Sequence, residues 1–136
     1  MHIDGQCQCG AIRFEAEVDP AKVTVCHCTD CQQFSGSAWR ASVPAPAATF
    51  RITQGEPATY IKTAETGNKR LQAFCGVCGS PLYSAAPENT PVYVVRVGVV
   101  NQRAQLAPQR QIWADSALPW AADIHGLPSS AREWKA

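Results

Sequence analysis

Charge is scarce in this chain. Asp, Glu, Lys and Arg together make up 17% of 136 residues, and 12 basic against 11 acidic groups leave a formal net charge of +1. A protein that grips nucleic acid or an anionic membrane needs a basic excess, and here only Lys69 and Arg70 stand side by side. Nucleic acid and membrane are therefore excluded as partners. Histidine is nearly absent, at three residues, so any metal site must be rich in sulfur. Long apolar runs are missing too. The most hydrophobic stretch, residues 92–100, is interrupted by Arg96 and is far shorter than a bilayer span. The opening residues MHIDGQCQCG lack the basic and apolar segments of a secretory signal. A soluble, cytoplasmic protein is expected, with His2 disordered at the chain end. What is present is ordinary apolar mass, 46% of residues. That is too much for a disordered chain and enough for one domain spanning residues 1–136.

Ten prolines and nine glycines announce many turns and short elements. Residues 11–18 alternate, with Ile12, Phe14, Ala16 and Val18 on one face and charged residues on the other, the signature of a half-buried strand. A second short strand is expected around Val23 and Val25, and others over 38–43, 49–53, 58–62 and 69–74. The β-branched run 92–100 reads as a central, buried strand. One helical turn is predicted over 29–35. Thr29 is placed to cap it, Gln32 to reach back, and Gly36 to close it in the left-handed conformation. The C-terminal third is weakly patterned, and Trp113, Trp120 and Trp134 are expected to pack a final loop onto the sheet.

Seven cysteines dominate the chemistry. In a reducing compartment such clusters signal metal or catalysis more often than disulfides. They fall in three groups: Cys7-x-Cys9-Gly10, Cys26-His27-Cys28-x-x-Cys31 and Cys75-x-x-Cys78-Gly79. The first and third share a close pair followed by glycine, a knuckle that turns amide N–H groups toward the sulfurs. Two knuckles make a tetrahedral four-thiolate zinc site, so Cys7, Cys9, Cys75 and Cys78 are assigned to structural zinc, whose binding energy becomes folding energy. Four reduced core cysteines are the alternative.

The middle group lacks a knuckle glycine. Strand alternation puts Cys26 and Cys28 on one face and His27 on the other, and the helical turn brings Cys31 back. Three thiolates with an open fourth position is the pattern of a catalytic zinc. Its electron-rich sulfur set suits binding and orienting a thiolate better than generating hydroxide. A redox disulfide with a spare thiol, or a closed site completed by His27, is the competing reading. His27 is otherwise a rim, supporting or exposed group.

These motifs resemble the glutathione-dependent formaldehyde-activating enzyme family. The likeness runs through Ser35-Gly36-Ser37, Thr66-Gly67-Asn68-Lys69, Phe74 to Leu82 and the Trp113 to Pro128 tail, covering nearly the whole chain. The resemblance implies a mainly β, single-domain Mss4-like fold of short antiparallel strands with zinc knuckles and a short helical turn. It implies a structural zinc at Cys7, Cys9, Cys75 and Cys78 and a catalytic zinc at Cys26, Cys28 and Cys31. The implied activity is carbon–sulfur lyase chemistry, joining glutathione to formaldehyde as S-(hydroxymethyl)glutathione.

Two other functions compete with this enzyme. One is a non-catalytic zinc protein that binds glutathione adducts. The other is a zinc-stabilised protein-interaction module, with Trp39, Trp120 and Trp134 as contact candidates. Asp30 reads as a helix-dipole residue rather than a base. Arg40 and Arg96 read either as carboxylate ligands or as solvated strand positions, and Ser35 and Ser37 as pocket or helix-ending residues. The sequence leaves the oligomeric state open.

Overall fold

The computed structural model describes residues 1–64 and 66–134. Among them the chain is mainly β, with ten strands and one α-helix. The strands are β1 (His2–Gln6), β2 (Arg13–Glu17), β3 (Thr24–Cys26), β4 (Arg40–Pro46), β5 (Arg51–Gln54), β6 (Ala58–Thr63), β7 (Lys69–Phe74), β8 (Pro81–Ala85), β9 (Val92–Arg96) and β10 (Arg110–Ile112), and the helix is α1 (Thr29–Ser35). They build a three-stranded sheet, β1-β2-β5, and a seven-stranded sheet, β10-β3-β4-β9-β8-β7-β6. The one departure from antiparallel order is β10, which runs parallel to β3. No helix among the described residues is long and apolar enough to cross a membrane.

The alternating residues of 11–18 do what their pattern requires. Phe14 and Ala16 point into the core while Arg13 and Glu17 face out. Phe14 stacks on Phe50, which in turn packs against Tyr83 and Tyr93 of the larger sheet. This aromatic group, with Ile3, Val43, Leu82 and Val95, ties the two sheets together. Burial of each such side chain is worth about 1.5–3 kcal/mol. Gly5 lets β1 approach closely: a Cβ there would lie 2.3 Å from the Val99 carbonyl oxygen and 2.4 Å from the Phe14 ring.

The run 92–100 is indeed central, between β4 and β8, but its strand stops at Arg96 and turns through a short 3-10 segment, Val97–Val99. Strand β4 extends past the expected end and carries two prolines. β3 pairs only with Arg40–Ser42, so Pro44 and Pro46 need no N–H on that side.

Three expectations are corrected. His2 is ordered: it pairs with Glu17 across β1 and β2, its Nδ1 2.9 Å from the Glu17 carboxylate. The N-cap of α1 is Cys28, whose Sγ accepts from the Cys31 amide, so Thr29 is already helical and Gln32 does not reach back to it. The closing residue is Gly36, left-handed as expected. The tail tryptophans do not pack inward: Trp113, Trp120 and Trp134 are 65%, 57% and 69% exposed.

Candidate functional site

The two outer cysteine groups meet. Cys7 and Cys9 follow β1, Cys75 and Cys78 follow β7, and their four sulfurs lie within 4.8 Å of one another. The Cys7–Cys9 and Cys9–Cys75 sulfur separations are 3.7 Å and 3.8 Å. A tetrahedron with metal–sulfur bonds of about 2.3 Å has edges of about 3.8 Å. Four clustered sulfurs with two such edges are a donor set that suits a soft divalent ion.

The knuckles are built as their glycines require. Gly10 and Gly79 both sit at φ +81°, a region that admits glycine readily. Their amides close onto the Cys7 and Cys75 carbonyls. The bends aim the Ile12 amide at Cys7 Sγ (3.2 Å) and the Val77 amide at Cys75 Sγ (3.4 Å). Hydrogen bonding from the Ser80 hydroxyl, 3.2 Å away, and from nearby amides pulls the Cys78 thiol down to about 5.

The middle group forms a second centre at the start of α1. The sulfurs of Cys26, Cys28 and Cys31 also lie within 4.8 Å of one another, and among the described residues no fourth Cys, His, Asp or Glu joins them. All seven cysteines are free thiols. Burial pushes the Cys31 thiol up to about 12, the charge of Arg40 opposing it. Cys28 is also penalised by burial, but the Cys31 amide, with the neighbouring thiols, draws it below its ordinary value.

His27 points away from the sulfurs, as alternation demands, and does not close the site. It is not exposed either: at 4% exposure it lies buried, with Nε2 2.7 Å from Gln111 Oε1 on β10 and Nδ1 without a partner. Its amide donates to the Ile112 carbonyl. Gln32, on α1, donates to the carbonyls of His27 and Ser116. The late segment around β10 thereby braces the cysteine loop from behind.

The sheet register extends the site. Paired residues of neighbouring strands share a face, and Cys26 pairs with Arg40, Thr24 with Ser42, and Ser42 with Arg96. The cluster and the arginines therefore share one face of the larger sheet. Arg96 is not a solvated strand position. It is 6% exposed, donating to Ser42 Oγ at 2.7 Å and to Gln72 Oε1 at 3.1 Å. Burial, with Arg40 nearby, lowers it to about 9, so it stays charged at neutral pH. Arg40 is half-buried over the Phe34 ring. A cavity of about 290 Å³ opens here, lined by Cys26, Cys31, Arg40, Ser42 and Arg96 among others.

The remaining candidates take structural roles. Asp30 pairs with Lys62 of β6. Ser35 and Ser37 close the helix, the Ser37 amide donating to Ser35 Oγ. The Arg96–Gln72–Ser42 network escapes sequence reasoning, since its members are dispersed along the chain. Its one signal is Arg96 itself, a lone charge within an apolar run, which a protein buries only with partners.

The solved structures include a protein with the same fold. The crystal structure of a Rhodobacter sphaeroides protein superposes with a TM-score of 0.60 at 23% identity, covering 79% of this chain and 98% of that one. No curated protein matches the sequence at a significant level. The sequence matches the family described as glutathione-dependent formaldehyde-activating enzyme over residues 2–116, and the chain belongs to that family.

Proposed function

We propose that this protein is a zinc-dependent carbon–sulfur lyase that joins glutathione, or a similar thiol, to formaldehyde or another small aldehyde. On this reading residues 1–136 are one Mss4-like domain working in the cytoplasm. Cys7, Cys9, Cys75 and Cys78 hold a structural zinc. Cys26, Cys28 and Cys31 hold a catalytic one. The observation that carries the reading is the contrast between the two centres. One has four sulfurs and is complete. The other has three, no fourth ligand among the described residues, and a cavity alongside.

A zinc held at the second centre would supply Lewis acidity that favours a substrate thiolate near neutral pH. The chain itself supplies position. Cys26 and Cys31 line the cavity, so a thiol bound there would lie beside the cluster. Cys28, capping α1, is fixed to the helix by the Cys31 amide. The β10 brace holds the loop in one geometry, and a fixed geometry turns an encounter of thiol and aldehyde into a near-intramolecular one. In the net reaction the S–H bond breaks and the S–C bond forms. The carbonyl becomes an alcohol, its oxygen taking the proton.

The test is the rate of S-(hydroxymethyl)glutathione formation from glutathione and formaldehyde over the spontaneous background. A rate well above background in the zinc-loaded protein, lost in Cys28→Ser, is expected. A rate equal to background defeats the lyase reading and leaves adduct binding without turnover in its place.

A further inference from the structure

The face of the larger sheet that bears the three-cysteine centre holds more positive charge than that centre balances. Arg40 and Arg96 line its cavity. Arg70 stands close by, donating to Ser84 Oγ at 3.4 Å. None of the three lies within salt-bridge distance of a carboxylate among the described residues. A divalent ion on three thiolates carries a single negative charge, against three positive guanidiniums. The cluster therefore does not neutralise them.

Hydrogen bonding leaves the same deficit. Among the described residues Arg96 finds only Ser42 Oγ and Gln72 Oε1, and Arg40 only the same Gln72 oxygen at 3.4 Å. Both Nε atoms are buried without an acceptor. Two guanidiniums carry many more N–H donors than these contacts use. A buried charge short of acceptors is costly. Among the described residues the cavity lining contains serines, a threonine, cysteines, apolar residues and Arg110, but no acidic residue.

We infer that this cavity receives the carboxylate of the thiol substrate, held by Arg40 and Arg96, while the substrate's sulfur reaches the three-cysteine centre. The substrate class is then a thiol that also bears a free carboxylate. This rests on the thiol-binding reading above and specifies which thiols qualify. A planar guanidinium suits a carboxylate, which accepts two parallel N–H bonds.

The full-length chain loaded with cobalt(II) tests it, since thiolate-to-cobalt absorption reports directly on a thiol joining the cluster. The probes are 3-mercaptopropionate and its uncharged amide, 3-mercaptopropionamide. The carboxylate is expected to bind about tenfold tighter or more, the scale of a hydrogen bond to a charged group. Arg96→Gln should erase the preference, while Arg96→Lys retains part of it. Should Arg96→Gln fail to fold, Arg40→Gln, at a half-buried position, must show the same loss of preference. Equal affinity for the two probes in the native chain overturns the carboxylate site and leaves the thiol reading standing. A preference that survives in both arginine variants overturns it as well. An absorption spectrum unmoved by either probe overturns the thiol reading, and this inference with it.

Discussion

Serine in place of Cys75 should cost the fold far more than serine in place of Cys28. The reason lies in the length of chain each centre ties. Cys9 and Cys75 are 66 residues apart and their sulfurs 3.8 Å apart. Closing a loop of that length costs about 3.7 kcal/mol of chain entropy by the (3/2)RT ln n relation. Cys26 and Cys31 are separated by five positions, for which the same relation gives about 1.4 kcal/mol. A metal tie removes that cost from folding, so the long tie stabilises by about 2.3 kcal/mol more. Two local features widen the gap. Cys75 is 1% exposed within the core, whereas Cys28 is only partly buried. Serine is also a favoured N-cap, so Cys28→Ser leaves α1 capped. At roughly 3–5 °C per kcal/mol for a chain of this size, Cys75→Ser should melt about 10 °C or more below Cys28→Ser. Thermal unfolding by circular dichroism in zinc-replete buffer, with zinc counted per chain, is the assay. The native chain should hold two equivalents and Cys28→Ser one, at nearly native melting temperature. Equal melting temperatures for the two variants, or a lower one for Cys28→Ser, would refute the division into a structural and an open centre.

Two further outcomes test the fold. Gly5→Ala places a Cβ against the Val99 carbonyl oxygen and the Phe14 ring; it should destabilise by about 1–3 kcal/mol in chemical unfolding, and an unchanged midpoint would show that β1 does not approach the core so closely. Hydrogen bonds from Gln102 and Asn101 hold the Asp4 carboxyl below its ordinary 3.8, so its stabilising contribution is present above that pH and is lost as pH falls through the lowered folded value. Asp4→Asn should therefore be less stable than the native chain at pH 6, with the gap closing below about pH 4; a gap independent of pH would discount the ionised carboxylate.

Much of the cysteine clustering was legible because it is local. The knuckle glycines, the spacing of the cysteine pairs and the alternation that turns His27 away all act within a few residues. The partition into four and three sulfurs followed from them. The strands that escaped reading lack a hydropathy pattern of their own. In β1, HIDGQ, one of the two buried positions is Gly5, which contributes nothing apolar to see. Strand β8 begins with a proline and buries Ser84. Strand β10, RQI, is exposed throughout and exists because β3 offers it an edge. The cap of α1 was misplaced by one residue because threonine is the habitual cap, whereas here a cysteine sulfur takes the amide. The arginine cavity was hidden for a different reason: Arg40, Ser42, Gln72 and Arg96 meet only through sheet register.

The brace behind the three-cysteine loop has a consequence for the newborn chain. The four-cysteine clamp is chemically complete once Cys78 has been made. The loop of Cys26 to Cys31 waits for Gln111, Ile112 and Ser116, which supply its backing. At about 5–20 residues per second on the ribosome, the 33 residues from Cys78 to Gln111 take about 2–7 s. For that interval the nascent protein carries all four outer cysteines and a three-cysteine loop without its backing. Synthesis thus completes the four-cysteine group before the three-cysteine group has its backing.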